Sequence, residues 1–113
     1  MPDMADLVPF AVDVRFERAH GGVAIVAVAG EVDLATVSEL RSALNRVIAP
    51  PRQEVVVDLA AVEFIDASGI GALVGAAAAA ARAGVRFRLK APSPPVERVL
   101  ELARADGGLV PGL

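Results

Sequence analysis

The chain is 113 residues long, which suits one domain with a single hydrophobic core. It has no cysteine and only one histidine, His20, so disulfides and thiolate metal sites are excluded, and we expect neither a metal nor a cofactor. Its 14 acidic and 11 basic residues give a net charge of −3 without a basic run, which favours a protein partner over nucleic acid.

The first part of the chain predicts a β-hairpin that follows a loose leader at residues 1–10. Apolar residues alternate with charged ones, as in a half-buried strand, at Val12, Val14 and Phe16. His20 and the two glycines after it turn the chain, and Val23–Ala29 forms a second strand. So short a connection joins antiparallel strands, so His20 is interpreted as a turn residue.

A first helix is predicted from Leu34 to Ile48, because its apolar residues keep helical spacing. Asp33 is placed to cap this helix, and the prolines at 50 and 51 end the segment. Taken alone, Glu31 and Asp33 are explained by a turn and a helix cap.

The middle of the chain predicts a buried strand followed by an apolar helix. Val55–Leu59 is a nearly continuous apolar run, typical of a central strand that is covered on both faces. Helical spacing then defines one apolar face, formed by Ile70, Leu73, Val74, Ala77, Ala78 and Ala81. Gly84 is predicted to be the C-cap of this second helix.

The last part of the chain predicts one more strand and a third helix. Val85, Phe87 and Leu89 alternate with basic residues that we expect to face solvent near a sheet edge: Arg86, Arg88 and Lys90. A third helix is indicated by Val96, Val99, Leu100 and Ala103, and Gly107-Gly108 closes it. The order ββαβαβα predicts an α/β fold, a mixed β-sheet with packed helices.

Ser68 stands where the central strand passes into the second helix. A serine at a helix start commonly caps it by accepting a hydrogen bond from an amide one turn on, and the spacing alone favours this role. The amides and the dipole at that end of a helix would also tolerate a phosphate on the hydroxyl. Both interpretations stay open from the residues alone.

Two motifs in the right order now suggest a family. The segment EFIDASGIGAL resembles the signature of the STAS domain family, specifically of bacterial anti-sigma factor antagonists, with Asp66, Ser68, Gly69 and Gly71 matching its acidic-x-Ser-Gly motif. Upstream, AIVAVAGEVDLATVSELRSAL is similar to the family's second strand, its Gly-Glu-apolar-Asp loop and its first helix. The resemblance extends from Val12 to Gly107 and implies a single STAS domain over residues 1–113.

The resemblance also implies a function. The unphosphorylated chain is expected to bind an anti-sigma factor with serine kinase activity and so release the sigma factor. Phosphorylation of Ser68 by that kinase would end the binding, and a serine phosphatase would restore it. The partner-binding residues that the motifs imply are Glu31, Asp33, Asp66, Ser68, Gly69 and Gly71. The chain would be a binding protein and a kinase substrate, not an enzyme.

One departure from the family and two alternatives accompany this interpretation. Family members commonly continue beyond the third helix, so the C-terminal elements are expected to be short or missing here. An alternative within the fold is a non-switching scaffold, or a soluble subunit of a transporter or signalling complex, in which Ser68 is only a cap. A remote alternative is a serine hydrolase, but Ser68 lacks the G-x-S-x-G context and His20 is distant in sequence.

The most apolar segment, Gly69 to Ala81, is too short to cross a hydrocarbon core of about 30 Å, which needs ~20 residues. The first ten residues include Asp3 and Asp6 and lack the basic start and long apolar centre of a signal peptide. We therefore expect no membrane association and a cytoplasmic location.

Overall fold

The computed structural model describes residues 8–17, 22–49 and 52–105, with side chains in the last range described to residue 102. Its elements are β1 Ala11–Glu17, β2 Val23–Val32, α1 Val37–Val47, β3 Glu54–Ile65, α2 Ala67–Ala83, β4 Arg86–Lys90 and α3 Pro94–Ala105. The predicted order ββαβαβα is therefore confirmed. The predicted turn at His20, most of the leader, and the closing glycines at 107 and 108 lie outside the described residues.

The described strands form one mixed sheet in the order β1-β2-β3-β4. β1 and β2 pair antiparallel, which confirms the predicted hairpin, whereas β2 with β3 and β3 with β4 pair parallel. β3 is an inner strand, as its apolar run predicted. Because β2 and β3 are parallel neighbours, their carboxyl ends meet at the same edge of the sheet.

β3 is longer than predicted because it contains two irregularities. It has 12 residues against 10 in β2, and the register shifts between Ala27 and Ala29 and again between Gly30 and Glu31 of β2. At each shift one extra residue enters β3, as in a β-bulge. Beyond Leu59 the buried positions of β3 are therefore three apart, at Val62 and Ile65, and simple alternation fails there.

The main core lies on one face of the sheet and includes residues from all three helices. Its largest fully buried side chains are Leu40, Leu44, Leu59, Leu73, Leu100, Val26, Val28, Val32, Val55, Val57, Val62 and Val96. A small second cluster of Val23, Ile25 and Val56 covers the other side of the inner strands. Both Val56 and Val57 are buried, which confirms that β3 is covered on both faces.

The basic residues of β4 are exposed at the edge of the described sheet, as predicted. Glu54 of the neighbouring strand contacts two of them, with its Oε2 at 3.7 Å from Arg86 Nη2 and 3.5 Å from Arg88 Nε. Both arginine side chains are largely exposed, so these ion pairs contribute little to stability.

The start of α1 was predicted wrongly. The helix begins at Val37, and residues 34–36 form a turn in front of it. The Asp33 carboxylate accepts a hydrogen bond from the Ala35 N–H inside this turn and does not cap the helix. Leu34, expected on the buried helix face, is 82% exposed as a result.

The buried face of α2 also differs from the prediction, by about one residue. The helix buries Gly69, Ala72, Leu73, Ala76 and Ala80, whereas the predicted members Ala78 and Ala81 are exposed. An alanine-rich helix has little contrast between its faces, so periodicity alone does not identify the buried one. The predicted C-cap is confirmed, since Gly84 has a left-handed backbone with φ of 71° and its N–H donates to Ala80 O and Ala81 O.

Candidate functional site

The predicted site residues lie on two loops at one edge of the sheet. β2 ends beside β3, with Val32 paired to Ile65, and the Asp66 N–H donates a hydrogen bond of 3.1 Å to Val32 O. We call the surface formed by residues 31–36 and 63–71, at the ends of β2 and β3 and in the loops that follow them, the carboxyl edge. It contains all six residues that the motifs implied, because both segments lie at the carboxyl ends of neighbouring parallel strands.

Asp66, and not Ser68, is the N-cap of α2. Its Oδ1 accepts hydrogen bonds from the Ser68 N–H at 2.9 Å, from the Gly69 N–H at 3.2 Å and from the Ser68 hydroxyl. Asp66 has the extended backbone of an N-cap residue, and Ser68 is already inside the helix. The capping role that spacing favoured for Ser68 is therefore wrong, because a better placed acceptor precedes it by two residues.

These hydrogen bonds also set the protonation of Asp66. The Ser68 hydroxyl, and then the amides of Gly69 and Ser68, lower the pKa of the Asp66 carboxyl, while partial desolvation opposes them. Asp66 is therefore a carboxylate at neutral pH and a weaker base than an ordinary aspartate. The half-buried Ser68 hydroxyl is oriented by a fixed negative charge.

Thr36 organises the other loop of the carboxyl edge. Its hydroxyl donates to Glu31 O at 2.9 Å and accepts from the Asp33 N–H at 3.0 Å. The backbone amides of Thr36 and Val37 both donate to Asp33 O, at 3.1 and 2.8 Å. Glu31 is exposed and Asp33 half-buried, so this loop presents acidic side chains beside the start of α2.

The two glycines of the motif play different structural roles. A Cβ on Gly69 would lie 2.5 Å from Ile65 Cγ1 and 2.8 Å from Val32 Cγ1, so this glycine allows α2 to pack against the ends of β2 and β3. Gly71 is exposed, and a Cβ there would meet only Arg41 Nη2, at 3.8 Å. The described glycines with positive φ are Gly22, Gly30 and Gly84, so neither motif glycine is required by its backbone angles.

Sequence reasoning missed the apolar part of the carboxyl edge. Leu34 is 82% exposed in the first loop, and Phe64, paired with Glu31 across the strands, is 49% exposed. Each of these residues directly follows an acidic residue, but so does the fully buried Leu59, so the sequence contains no local signal of their exposure. Large apolar side chains are also exposed elsewhere, at Phe16 and Leu102, so it is the position of Leu34 and Phe64 beside the candidate site that favours an interaction surface.

A shallow groove borders the same edge. It is lined by Val8, Pro9, Phe10, Glu31, Asp33, Ala35, Thr36 and Glu63. Gly30 allows the Phe10 backbone to lie close to β2 beside this groove, since Gly30 has φ of +88° and a Cβ there would lie 2.9 Å from the Phe10 backbone. Three carboxylates and several apolar side chains thus line one depression.

Two properties of the described residues bear on other kinds of site. No three of their histidine, aspartate or glutamate side chains lie close enough together to hold a metal ion. Within the same ranges, none of the helices has the length and apolar character needed to cross a membrane.

Comparison with known families gives one match over most of the chain. The family model described as Mlab, STAS domain, matches residues 16–111. This range includes both motifs and all of the carboxyl edge.

Individual relatives include proteins named as antagonists of anti-sigma factors. The anti-sigma-F factor antagonist RsfB of Mycobacterium tuberculosis is 41% identical over 51 residues, which cover 45% of this chain and only 42% of RsfB. An anti-sigma factor antagonist from Mycobacterium paratuberculosis has a similar crystal structure, with a TM-score of 0.75 and 28% identity over 87% of this chain and 80% of that one. The antagonist SpoIIAA in its unphosphorylated form has a TM-score of 0.68 and 23% identity over 88% of this chain and 84% of SpoIIAA, which supports the fold alone.

Proposed function

The chain belongs to the STAS domain family, and from this premise we propose that it is an anti-sigma factor antagonist controlled by phosphorylation of Ser68. Its unphosphorylated form binds an anti-sigma factor with serine kinase activity and releases the sigma factor. The observation that carries the proposal is the half-buried Ser68 hydroxyl, oriented by Asp66 at an edge with exposed apolar and acidic side chains.

The carboxyl edge has the chemistry of a surface that binds a protein. Leu34 and Phe64 supply apolar area, and removing such area from water favours binding. The acidic groups in the groove, Glu31, Asp33 and Glu63, favour a partner with basic residues around an apolar centre. The expected partner is an anti-sigma factor whose kinase domain has basic residues around an apolar centre on the surface that binds this chain.

Ser68 is a phosphate acceptor in this proposal and does not act as a nucleophile in hydrolysis. The kinase transfers the γ-phosphoryl group of ATP to Ser68 Oγ, so that an O–P bond forms, ADP leaves and the hydroxyl proton is lost. Because its pKa is lowered, Asp66 is a poor acceptor for that proton, and we assign the general base to the kinase. Asp66 instead orients the hydroxyl.

Phosphorylation ends the binding through charge. A phosphoserine adds about −1.5 to −2 charges at neutral pH, and in an interface these must be desolvated. The added charge lies on an edge that already contains four acidic residues of the two motifs and the groove: Glu31, Asp33, Glu63 and Asp66. A serine phosphatase reverses the switch by removing the phosphate.

The test begins with mapping. The protein is incubated with ATP and each candidate anti-sigma kinase of its own genome, and the phosphate is located by mass spectrometry. We expect modification at Ser68 and none at the exposed Ser42 of α1. Absence of phosphate with every kinase would contradict the proposal and favour the scaffold or transporter-associated alternative.

Binding to the kinase that modifies Ser68 supplies the second part of the test. Ser68→Ala removes one hydrogen bond, should cost about 1 kcal/mol of stability, and should bind constitutively. Ser68→Asp should bind at least 10-fold more weakly, since a charge then lies in the interface, whereas Ser42→Asp should bind like the wild type. Equal affinity of the two Ser68 variants would exclude a charge-operated switch.

A further inference from the structure

The start of α2 offers a phosphate on Ser68 fewer donors than a helix N-terminus ordinarily does. The amides of Ser68 and Gly69 already donate to Asp66 Oδ1, and the Ile70 amide donates to Asp66 O at 3.0 Å. While Asp66 remains in place, these three N–H groups are engaged and are not available to a phosphate. A phosphate on Ser68 therefore gains little from these three amides, and a cation nearby would stabilise it.

Asp66 itself opposes the phosphate. In the unmodified protein a proton lies between Ser68 Oγ and Asp66 Oδ1, because the hydroxyl donates to the carboxylate. Phosphorylation replaces that proton with a group of about −1.5 to −2 charges, so two anions would then stand within hydrogen-bond distance. The modified side chain is expected to rotate away from Asp66.

Arg41 of α1 is a cation close to the first turns of α2. It lies on the exposed surface of α1, and its Nη2 is 3.8 Å from the position of a Cβ on Gly71. Ser68 and Gly71 are three apart in α2, and helix positions with that spacing have Cβ atoms about 5–6 Å apart. Within the described residues Arg41 makes no hydrogen bond or ion pair, so its guanidinium can turn towards Ser68.

We propose that the Arg41 guanidinium forms an ion pair with the phosphate of phosphorylated Ser68. The two groups would meet over Gly71, which has no side chain to separate them. A guanidinium matches phosphate oxygens with two parallel N–H donors, and the shift separates the phosphate from Asp66. This assignment rests on the proposed phosphorylation of Ser68. The proposed ion pair also explains why residue 71 is glycine, which its backbone angles do not require, because a longer side chain there would displace Arg41.

The experiment introduces phosphoserine at position 68 during translation, so that no kinase is needed. The second pKa of the phosphate, ordinarily about 6, is measured by phosphorus NMR in four proteins: wild type, Arg41→Gln, Gly71→Leu and Arg82→Gln. Arg82 is an exposed arginine in the last turn of the same α2, and serves as the matched control. Thermal unfolding of each protein without phosphate checks its fold.

Loss of a neighbouring positive charge raises the pKa of an anion, so we expect Arg41→Gln to raise the phosphate pKa by about half a unit. Gly71→Leu should raise it as well, although it retains the arginine, and Arg82→Gln should match the wild type. An unchanged phosphate pKa in Arg41→Gln overturns the assignment. If no kinase modifies Ser68, the proposed function fails, but this titration still reports whether Arg41 contacts the phosphate.

Discussion

Two of the three glycines of α2, Gly69 and Gly75, should respond in opposite ways to substitution by alanine. Gly75 lies in the middle of the helix, is exposed, and has nothing within 4 Å of a Cβ, so Gly75→Ala should stabilise the protein by about 0.5–1 kcal/mol. Gly69→Ala also gains helix propensity, but its Cβ would lie 2.5 Å from Ile65 Cγ1 and 2.8 Å from Val32 Cγ1.

Those two neighbours cannot move away easily, because Val32 is fully buried and Ile65 is 3% exposed. Overpacking of this kind costs about 1–3 kcal/mol, which exceeds the propensity gain, so we expect a net loss of about 1–2 kcal/mol for Gly69→Ala.

The assay is equilibrium unfolding in urea followed by far-UV circular dichroism, with thermal unfolding as a second measurement. A change of 1 kcal/mol shifts the midpoint temperature by about 4 °C in a domain of this size. Equal stability of the Gly69→Ala and Gly75→Ala proteins would contradict this expectation, since it would mean that α2 does not pack closely on the ends of β2 and β3.

Two further predictions concern the carboxyl edge. Leu34→Ala should change stability by less than about 0.5 kcal/mol, because the side chain is exposed, yet weaken binding to the kinase about 5-fold or more if it is an interface anchor; unchanged affinity in a titration would remove Leu34 from the interface. The pKa of Asp66 is lower in the folded protein than in the unfolded chain, so its carboxylate stabilises the folded state at pH values above the ordinary aspartate pKa of about 3.9. This stabilisation is lost as the pH falls through the pKa that Asp66 has in the folded protein. Wild type should therefore be more stable than Asp66→Asn at pH 7, and the difference in unfolding free energy should shrink below about pH 4; a difference independent of pH would show that the charge does not matter.

The order of elements was predictable from the sequence because each signal was local. Alternation identified β1 and β4, a continuous apolar run identified β3 as an inner strand, and the short connection required a hairpin. Gly84 marked the end of α2 for the same kind of reason, since a left-handed C-cap favours glycine at one position.

Other features of the molecule depend on contacts between segments that are distant in sequence. Asp66 and Ser68 are both residue types that cap helices well. Asp66 is the cap of α2 because β3 ends directly before it, and the end of β3 is set by its pairing with β2, in which β3 has two extra residues. The buried face of α2 is determined by its packing on the sheet, because alanines on several faces of the helix make those faces similar in hydrophobicity. The exposure of Leu34 follows from the turn that joins β2 to α1. The short distance between Arg41 and Gly71 follows from the packing of α1 beside α2, and a local sequence pattern predicts neither feature.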